Sequence, residues 1–359
     1  MGSSRFRFIT FILVFISGAI SMWCALTVIT QHMLIYQRHH QSRTETGISR
    51  EILAGKTNFL IMVLKLDVMN SITVTVENLR STRYYNLPGV TQQGRLNKTR
   101  LLCWIMTSPM TLETKASTIA RTWAKKCHHT LFMSSQNSTN FPGTVIGLEV
   151  ADGRPALWNK TRKSFEYIYK HHFNDADWFL KADDDTYVVV ENLMAFLSNR
   201  DPAEPVYYGF DFNTTLPYLK SKSKKIDYPS GGAGYVISRE ALKRFVEVGL
   251  KNRTGCCPGG YSDWPEDMCL GLCMESVGVR SKDHRDQFGR FRFLPIALKY
   301  FLNDGSAPLE WLHGQSTYGI TRGKDCCSES LISIHYVKPG DMLVYDFLLN
   351  NVTIGVLDE

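Results

Sequence analysis

Short apolar runs alternate with longer segments of helical periodicity over the central part of the chain. The apolar runs predict buried strands and lie at 101–107, 130–134, 144–150 and 177–182. The segments with helical spacing fall between these runs, at 112–126 and 155–172. Because strands alternate with helices, the pattern predicts an α/β domain in which a mostly parallel sheet is flanked by helices.

An uncharged segment of 22 residues, 8–29, is long enough to cross a membrane as a single helix. A removable signal peptide is the alternative, but its apolar region is normally shorter and ends in a small-x-small cleavage pattern. Arg5 and Arg7 precede the segment and most of the chain follows it. This arrangement favours an uncleaved anchor with a cytoplasmic N-terminus and a lumenal C-terminus.

The chain therefore divides into four predicted regions. They are a cytoplasmic tail at 1–7, a transmembrane signal anchor at 8–30, a lumenal stem at 31–97 and a lumenal folded domain at 98–359. Within the stem, the apolar and strand-like segment 59–76 is interrupted by charges too early for a second membrane crossing. We assign it to no element.

Nine cysteines are present, and Cys24 falls inside the anchor. The other eight indicate disulfides in a lumenal domain, although a zinc site using Cys269 and Cys273 on one helical face is an alternative. Cys103 and Cys127 bracket the first strand and helix and could pair. We expect adjacent cysteines to bond to separate partners, because a ring between neighbours is strained. The candidates are Cys103, Cys127, Cys256, Cys257, Cys269, Cys273, Cys326 and Cys327.

Two further features agree with a lumenal domain. Six Asn-x-Ser/Thr sequons are glycosylation candidates, at Asn97, Asn137, Asn159, Asn213, Asn252 and Asn351. The net charge of +7 comes from dispersed basic residues, and a lumenal chain does not meet DNA. We therefore expect no nucleic-acid partner.

The last apolar run ends in three consecutive acids, Asp183, Asp184 and Asp185. In an extended chain the first and third project to one face, so both carboxylates can reach one ion. Hard oxygen ligands at the end of a buried strand predict a divalent cation that holds a phosphorylated ligand. A solvated acidic loop is the simpler alternative for the triplet alone. Thr107 ends another strand and is expected at the same edge of the sheet.

Three other segments carry candidate chemistry. Residues 228–238 form a glycine-rich turn, in which Gly231 and Gly232 permit close backbone approach to a ligand, although a turn without ligand fits equally well. Glu266 and Asp267 follow a proline at a predicted helix start, where the helix dipole would keep both carboxylates ionised. Either both acids only interact with the helix dipole, or one of them is a general base. His335 lies in a strand-like alternation, where a single histidine is usually structural.

Taken together, these segments resemble the glycosyltransferases that form β1,3 linkages, and most closely the core 1 β1,3-galactosyltransferases. The resemblance rests on 102–107, 122–124, 131–135, 175–188, 230–236, 266–267, 326–328 and 335–337. It implies a GT-A fold, with a Rossmann-like mixed sheet flanked by helices, in a type II protein of the Golgi membrane. Such an enzyme binds UDP-galactose with Mn²⁺ and transfers galactose to the 3-hydroxyl of N-acetylgalactosamine on Ser or Thr of glycoproteins. We also allow for a homodimer.

The resemblance also assigns roles by position. It implies that Asp183, Asp185 and His335 bind the metal, and an imidazole beside carboxylates favours manganese over magnesium. Asp267 would be the general base, with Glu266 as the alternative, and a single displacement would invert the anomeric centre. Donor-binding candidates are Thr107, Arg154, Lys160, Asp184, Gly231 and Gly232, and acceptor-binding candidates are Trp311 and Tyr235.

The chain departs from the family pattern in two places. Pro155 stands where relatives have Asp, and the aromatic-rich acceptor segment is reduced at 311–319 to one Trp and one Tyr. Because aromatic faces stack on sugars, the second departure leaves a fringe-like β1,3 transfer to another acceptor as an alternative. A non-catalytic lumenal chaperone is a further alternative. The retained metal and base positions favour an active enzyme.

Overall fold

The computed structural model describes residues 99–216, 224–251, 265–303 and 308–352. The predicted tail, anchor and stem, including the segment 59–76, lie outside these residues, as do Asn97, Asn252, Cys256 and Cys257. Within the described ranges, no helix combines the length and the apolar character needed to span a bilayer.

A seven-stranded mixed sheet forms the centre of the domain, in the order β10-β6-β9-β4-β1-β2-β3. Only β9 runs against its neighbours, and the remaining ladders of this sheet are parallel. A small sheet pairs β5, β12 and β11, and β7 pairs with β8 as an antiparallel ribbon. The strands are β1 Leu101–Met106, β2 His129–Ser134, β3 Thr144–Gly147, β4 Trp178–Asp183, β5 Tyr187–Val188, β6 Val206–Gly209, β7 Asp211–Leu216, β8 Lys224–Pro229, β9 Tyr235–Ser238, β10 Arg280–Ser281, β11 Phe293–Leu294 and β12 Ser333–Ile334.

Helices cover both faces of the central sheet, which confirms the predicted α/β class. The α-helices are α1 Pro109–Thr111, α2 Ser117–Arg121, α3 Leu157–His172, α4 Val190–Leu197, α5 Arg239–Arg244, α6 Glu266–Ser276, α7 Leu298–Leu302, α8 Pro308–Gln315 and α9 Pro339–Asn350. Strand β1 is buried along its whole length because its side chains pack alternately into two different hydrophobic cores. Cys103 and Ile105 face one core, and Trp104 and Met106 face the other.

The predicted helix at 112–126 is interrupted. A π-helical turn, Leu112–Ala116, precedes α2, and a 3-10 turn, Trp123–Lys126, follows it. The break falls at Thr122, whose hydroxyl donates a hydrogen bond to the Thr118 carbonyl oxygen at 2.8 Å and so competes with the helical ladder. Trp123 is fully buried beyond the break, and its indole N–H donates to the Thr186 carbonyl oxygen at 3.1 Å. This bond holds the loop that follows the three acids.

The disulfides agree with the sequence prediction in part. Cys103 and Cys127 are joined, with their Cα atoms 6.1 Å apart, and tie β1 to the turn before β2. Cys326 and Cys327 are bonded to each other, so the prediction of separate partners for this pair is wrong. Every cysteine of the described residues is disulfide-bonded. Cys269 and Cys273 are disulfide-bonded as well and supply no thiolates for a zinc site.

Glycines in two helices provide a test of the packing. A Cβ on Gly271 of α6 would lie 2.4 Å from the Cβ of Tyr228 and 3.2 Å from the Asp227 carbonyl oxygen, both on β8. A Cβ on Gly314 of α8 would meet no atom within 4 Å. We predict that Gly271→Ala lowers the free energy of unfolding by about 1–3 kcal/mol, because backbone and Cβ atoms cannot yield.

Gly314→Ala is the matched control for this prediction. It should leave the free energy of unfolding unchanged or raise it by up to about 1 kcal/mol, because alanine is the better helix former. Urea unfolding of both variants measures the difference. Equal stability of the two variants would contradict the close contact between α6 and β8.

Candidate active site

A cleft of about 870 Å³ opens at the edge of the sheet where β1 and β4 end. Its lining comes from the segments 106–111, 152–160, 181–185, 228–232, 265–267 and 335–336, with Phe212, Pro295, Ile296 and Trp311. The parallel ladder between the two strands pairs Met106 with Asp183, so Thr107 and the acids meet at this edge as the sequence predicts. Clefts beyond the carboxyl ends of parallel strands are the usual ligand sites of such sheets.

The three acids separate as strand alternation predicts. Asp184 turns toward β1, where its Oδ2 accepts a hydrogen bond from the Thr107 hydroxyl at 2.9 Å. Burial raises the pKa of Asp184. Asp183 and Asp185 point to the other side and, together with His335, each offer one ligand atom within 4.8 Å of the others. No other cluster of three such ligand groups occurs among the described residues.

The imidazole of His335 is oriented for a cation. Its Nδ1 lies 3.0 Å from the Pro295 carbonyl oxygen, which can only accept, so Nδ1 carries the proton. Nε2 then presents a lone pair toward carboxylate oxygens, at 3.2 Å from Asp185 Oδ1 and 3.9 Å from Asp183 Oδ2. Acceptors that face one another in this way fit a shared metal ion, and the backbone bond at Nδ1 is the usual outer partner of a ligating histidine.

Asp185 has a strongly lowered pKa. Burial would raise this pKa, but in the metal-free protein the hydrogen bond and charge of a protonated His335, together with the charge of Lys115, lower it to about 2. Lys115 lies 3.3 Å from Asp185 Oδ2 and 3.4 Å from Asp184 Oδ1. The carboxylate is therefore fully ionised at neutral pH, which is the state that binds a metal.

The glycine-rich turn is needed for the protein's own side chains. A Cβ on Gly232 would lie 2.0 Å from the His335 ring, and a Cβ on Gly231 would lie 2.9 Å from Glu266 Oε2. The turn is tied to neighbouring strands by the hydroxyl of Thr186, which donates to the Gly232 carbonyl oxygen at 2.7 Å. Both glycines line the cleft, so their predicted role with a donor remains a prediction.

Lys181 lines the cleft, and the sequence did not predict it as a site residue. Its side chain is 2% exposed, and its ammonium lies 2.6 Å from Asp183 Oδ1 and 2.9 Å from the Gly231 carbonyl oxygen. A lysine inside a buried apolar strand, two residues before an acid and hence on its face, was the available signal. Lys115 gave no such signal, because its partners lie about seventy residues away in sequence.

Glu266 and Asp267 begin α6, as predicted, but differ in exposure to the cleft. Glu266 is buried beneath the surface, where its Oε1 accepts from the Thr161 hydroxyl at 2.8 Å. Asp267 is less buried, and its Oδ2 accepts from the Gly231 N–H at 3.2 Å. Burial raises the pKa of both acids, that of Glu266 to about 7. Burial therefore opposes the helix dipole at the start of α6, and the expectation that the dipole keeps both carboxylates ionised stays a prediction.

Tyr235 does not line the cleft. Its side chain is fully buried, and its hydroxyl contacts Glu266 Oε1 at 3.4 Å. Its prediction as an acceptor-binding residue is therefore wrong, because strand alternation in β9 turns it into the core. Trp311, the other acceptor candidate, is 60% exposed at the cleft and packs against Phe212 with ring centroids 5.8 Å apart.

Two basic residues also line the cleft. Lys160 is buried, and its ammonium donates to the Thr107 carbonyl oxygen at 2.9 Å and to Asp152 Oδ1 at 2.7 Å. Asp152 also accepts from the Ser135 hydroxyl at 2.6 Å, so it fixes the lysine between β2 and α3. Arg154 lines the cleft from an exposed turn. The structure thus brings the predicted donor-binding residues to one cleft.

Comparisons with known proteins agree with these features. A family model described as Fringe-like matches residues 98–289. The chain is 42% identical over 254 residues to "Glycoprotein-N-acetylgalactosamine 3-beta-galactosyltransferase 1" of Xenopus laevis, which covers 70% of this chain and 66% of the relative. It is 29% identical over 161 residues to "Beta-1,3-glucosyltransferase" of Mus musculus, which covers 45% of this chain and 30% of the relative. The chain thus spans just under two thirds of the first relative and about a third of the second.

Among solved structures, a glycosyltransferase involved in glycosylation of the major capsid of PBCV-1 matches 51% of this chain and 82% of its own, at 13% identity and a TM-score of 0.32. That similarity is too weak to carry an argument. The Fringe-like match spans more than half of the chain, and the similarity to the Xenopus protein confirms the resemblance to core 1 β1,3-galactosyltransferases. The chain belongs to the Fringe-like family of glycosyltransferases.

Proposed function

We propose that this protein is an inverting, Mn²⁺-dependent β1,3-galactosyltransferase with a GT-A fold. It transfers galactose from UDP-galactose to the 3-hydroxyl of N-acetylgalactosamine α-linked to Ser or Thr of glycoproteins. The observation that carries this proposal is the cluster of Asp183, Asp185 and His335 in one cleft with Asp267. The activity in the name of the Xenopus relative supports the choice of donor and acceptor.

The donor side of the proposal uses the acids and the basic residues of the cleft. Asp183, Asp185 and His335 would hold the metal, which supplies positive charge to the diphosphate leaving group when bound. Mixed carboxylate and imidazole ligands favour Mn²⁺ over Mg²⁺. Lys160 and Arg154 add fixed positive charge at the end of the cleft that would receive the nucleotide.

The acceptor side of the proposal uses Asp267. Its carboxylate lies in the cleft, and the Gly231 N–H orients one of its oxygens. It would accept the proton of the sugar 3-hydroxyl as that oxygen attacks the anomeric carbon from the face opposite the leaving group, which inverts the configuration. Glu266 lines the same cleft but is buried, and its Oε1 accepts from the Thr161 hydroxyl, so we place it as the alternative base rather than the first.

We also propose that the folded domain lies in the Golgi lumen and that the predicted segment 8–30 is its type II membrane anchor. The proposal allows for a homodimer. The sequons support the lumenal side: Asn137, Asn159 and Asn351 are exposed. A second candidate function, β1,3 transfer to a different acceptor, is favoured by the altered segment 311–319, where Trp311 is an exposed aromatic residue that lines the cleft. A chaperone role, in contrast, does not require the metal cluster.

The first prediction from this proposal concerns the metal. Asp185→Asn should remove most of the Mn²⁺-dependent binding of UDP, because it removes a charged ligand. His335→Ala should weaken binding less, because it removes a neutral one. Titration calorimetry with Mn²⁺ and UDP measures both. Asp175→Asn, a change of the same chemistry on the exposed pair with His172, is the control and should bind normally. Unchanged affinity in the Asp185 variant would rule out this metal site.

The second prediction concerns the base. Asp267→Asn should lower kcat on an N-acetylgalactosamine-Thr peptide by roughly a hundredfold or more, because the proton has no acceptor in the transition state. The affinity for UDP and Mn²⁺ should stay within about twofold of wild type. Glu266→Gln should retain more activity than Asp267→Asn. If the order of the two variants is reversed, Glu266 is the base, and if both turn over normally the base lies elsewhere.

The third prediction separates the candidate acceptors. The protein should transfer galactose from UDP-galactose to N-acetylgalactosamine-Thr peptides in preference to fucosyl peptides, as measured by product mass. Trp311→Ala should raise KM for the acceptor while leaving KM for the donor unchanged, because a stacking face is lost. Transfer to fucose alone would establish the fringe-like alternative. Binding of UDP and metal without turnover on either acceptor would favour the chaperone role.

A further inference from the structure

Lys115 pairs with two of the acids that line the cleft. It lies on the π-helical turn between α1 and α2, and its side chain is 36% exposed. Its ammonium lies 3.3 Å from Asp185 Oδ2 and 3.4 Å from Asp184 Oδ1. The other oxygen of Asp185 faces His335. One carboxylate is thus shared between the candidate metal site and a lysine.

The two lysines that pair with the three acids differ in their freedom to move. Lys181 is 2% exposed and is fixed by a carboxylate and by the Gly231 carbonyl oxygen. Lys115 reaches the acids from the rim, with a flexible four-carbon side chain that is partly in solvent. A π-helical turn is also a common feature of functional sites. Lys115 can therefore leave the carboxylates at little cost in packing.

The charges of the possible occupants decide where this ammonium lies. A divalent cation on Asp185 repels an ammonium that shares the same carboxylate, and the negative diphosphate of a nucleotide attracts it. Without a metal, the ammonium relieves the repulsion between neighbouring carboxylates. With metal and nucleotide bound, the most favourable partner for it is the diphosphate.

We propose that Lys115 is a two-position counter-ion that couples metal binding to nucleotide binding. In the metal-free protein it neutralises Asp184 and Asp185. Metal binding displaces it, and the displaced ammonium contacts the diphosphate. This inference rests on the proposed function, because it takes the nucleotide diphosphate as the ligand of the cleft.

The two-position proposal predicts three separate results for Lys115→Gln. Mn²⁺ alone should bind about tenfold more tightly, because the competing ammonium is gone. UDP alone should bind within about twofold of wild type, because the lysine remains on the carboxylates when no metal is present. UDP at saturating Mn²⁺ should bind about tenfold more weakly, because the displaced cation no longer contacts the diphosphate. The cooperativity between metal and nucleotide therefore falls.

Titration calorimetry of the full-length protein in detergent measures these affinities. Lys126→Gln is the matched control, because Lys126 pairs with Glu191 and Asn350 away from the cleft, and it should match wild type in all titrations. Lys115→Arg keeps the charge and should retain the cooperativity. Thermal unfolding without ligands checks that the variants are folded.

Several outcomes overturn the inference. If Lys115→Gln binds Mn²⁺ no more tightly than wild type, the lysine does not compete with the metal. If UDP affinity falls equally with and without Mn²⁺, Lys115 is a fixed contact rather than a two-position one. If wild type binds neither UDP nor Mn²⁺, the proposed function fails as well. Normal wild-type binding with unchanged cooperativity in Lys115→Gln removes only this inference.

Discussion

The accumulation of negative charge at the end of β4 is the constraint on which the cleft depends. Three consecutive carboxylates lie at the end of one strand, and a different part of the chain supplies a partner for each of them. Lys181 contacts Asp183 within the strand, Thr107 after β1 donates to Asp184, and His335 approaches Asp185 from the small sheet. Because like charges this close repel strongly at low dielectric, the elements that supply these partners cannot be displaced independently.

The glycine-rich turn and the small sheet pack against each other where His335 approaches the acids. His335 follows β12. The ladder between β12 and β5 places this histidine beside the short strand that follows the three acids. Its ring occupies the space that a side chain at Gly232 would need, and Ser333 donates to the Ala233 carbonyl oxygen at 2.5 Å. The absence of a side chain in the turn is thus a condition for the histidine to reach the acids. The motif segments, although far apart in sequence, form one packed unit.

The sequence predicted the features that follow from local periodicity. The buried strands and the alternation of Asp183, Asp184 and Asp185 result from neighbouring residues. Features that depend on distant residues were not predictable. The burial of Tyr235 and Glu266 depends on how β9 and α6 stack, and Lys115 meets its partners only after the fold forms.

Lys181 also links the metal site electrostatically to the base. Its ammonium contacts Asp183 directly, and its charge lowers the pKa of Glu266 and Asp267 against the larger effect of burial. A single buried cation therefore stabilises the ionised form of groups on both sides of the cleft. The ionisation of the start of α6 is therefore not a local property, because burial there opposes the helix dipole. It also depends on a residue of β4, so the strand that ends in the candidate metal ligands influences the ionisation of Asp267, the proposed base.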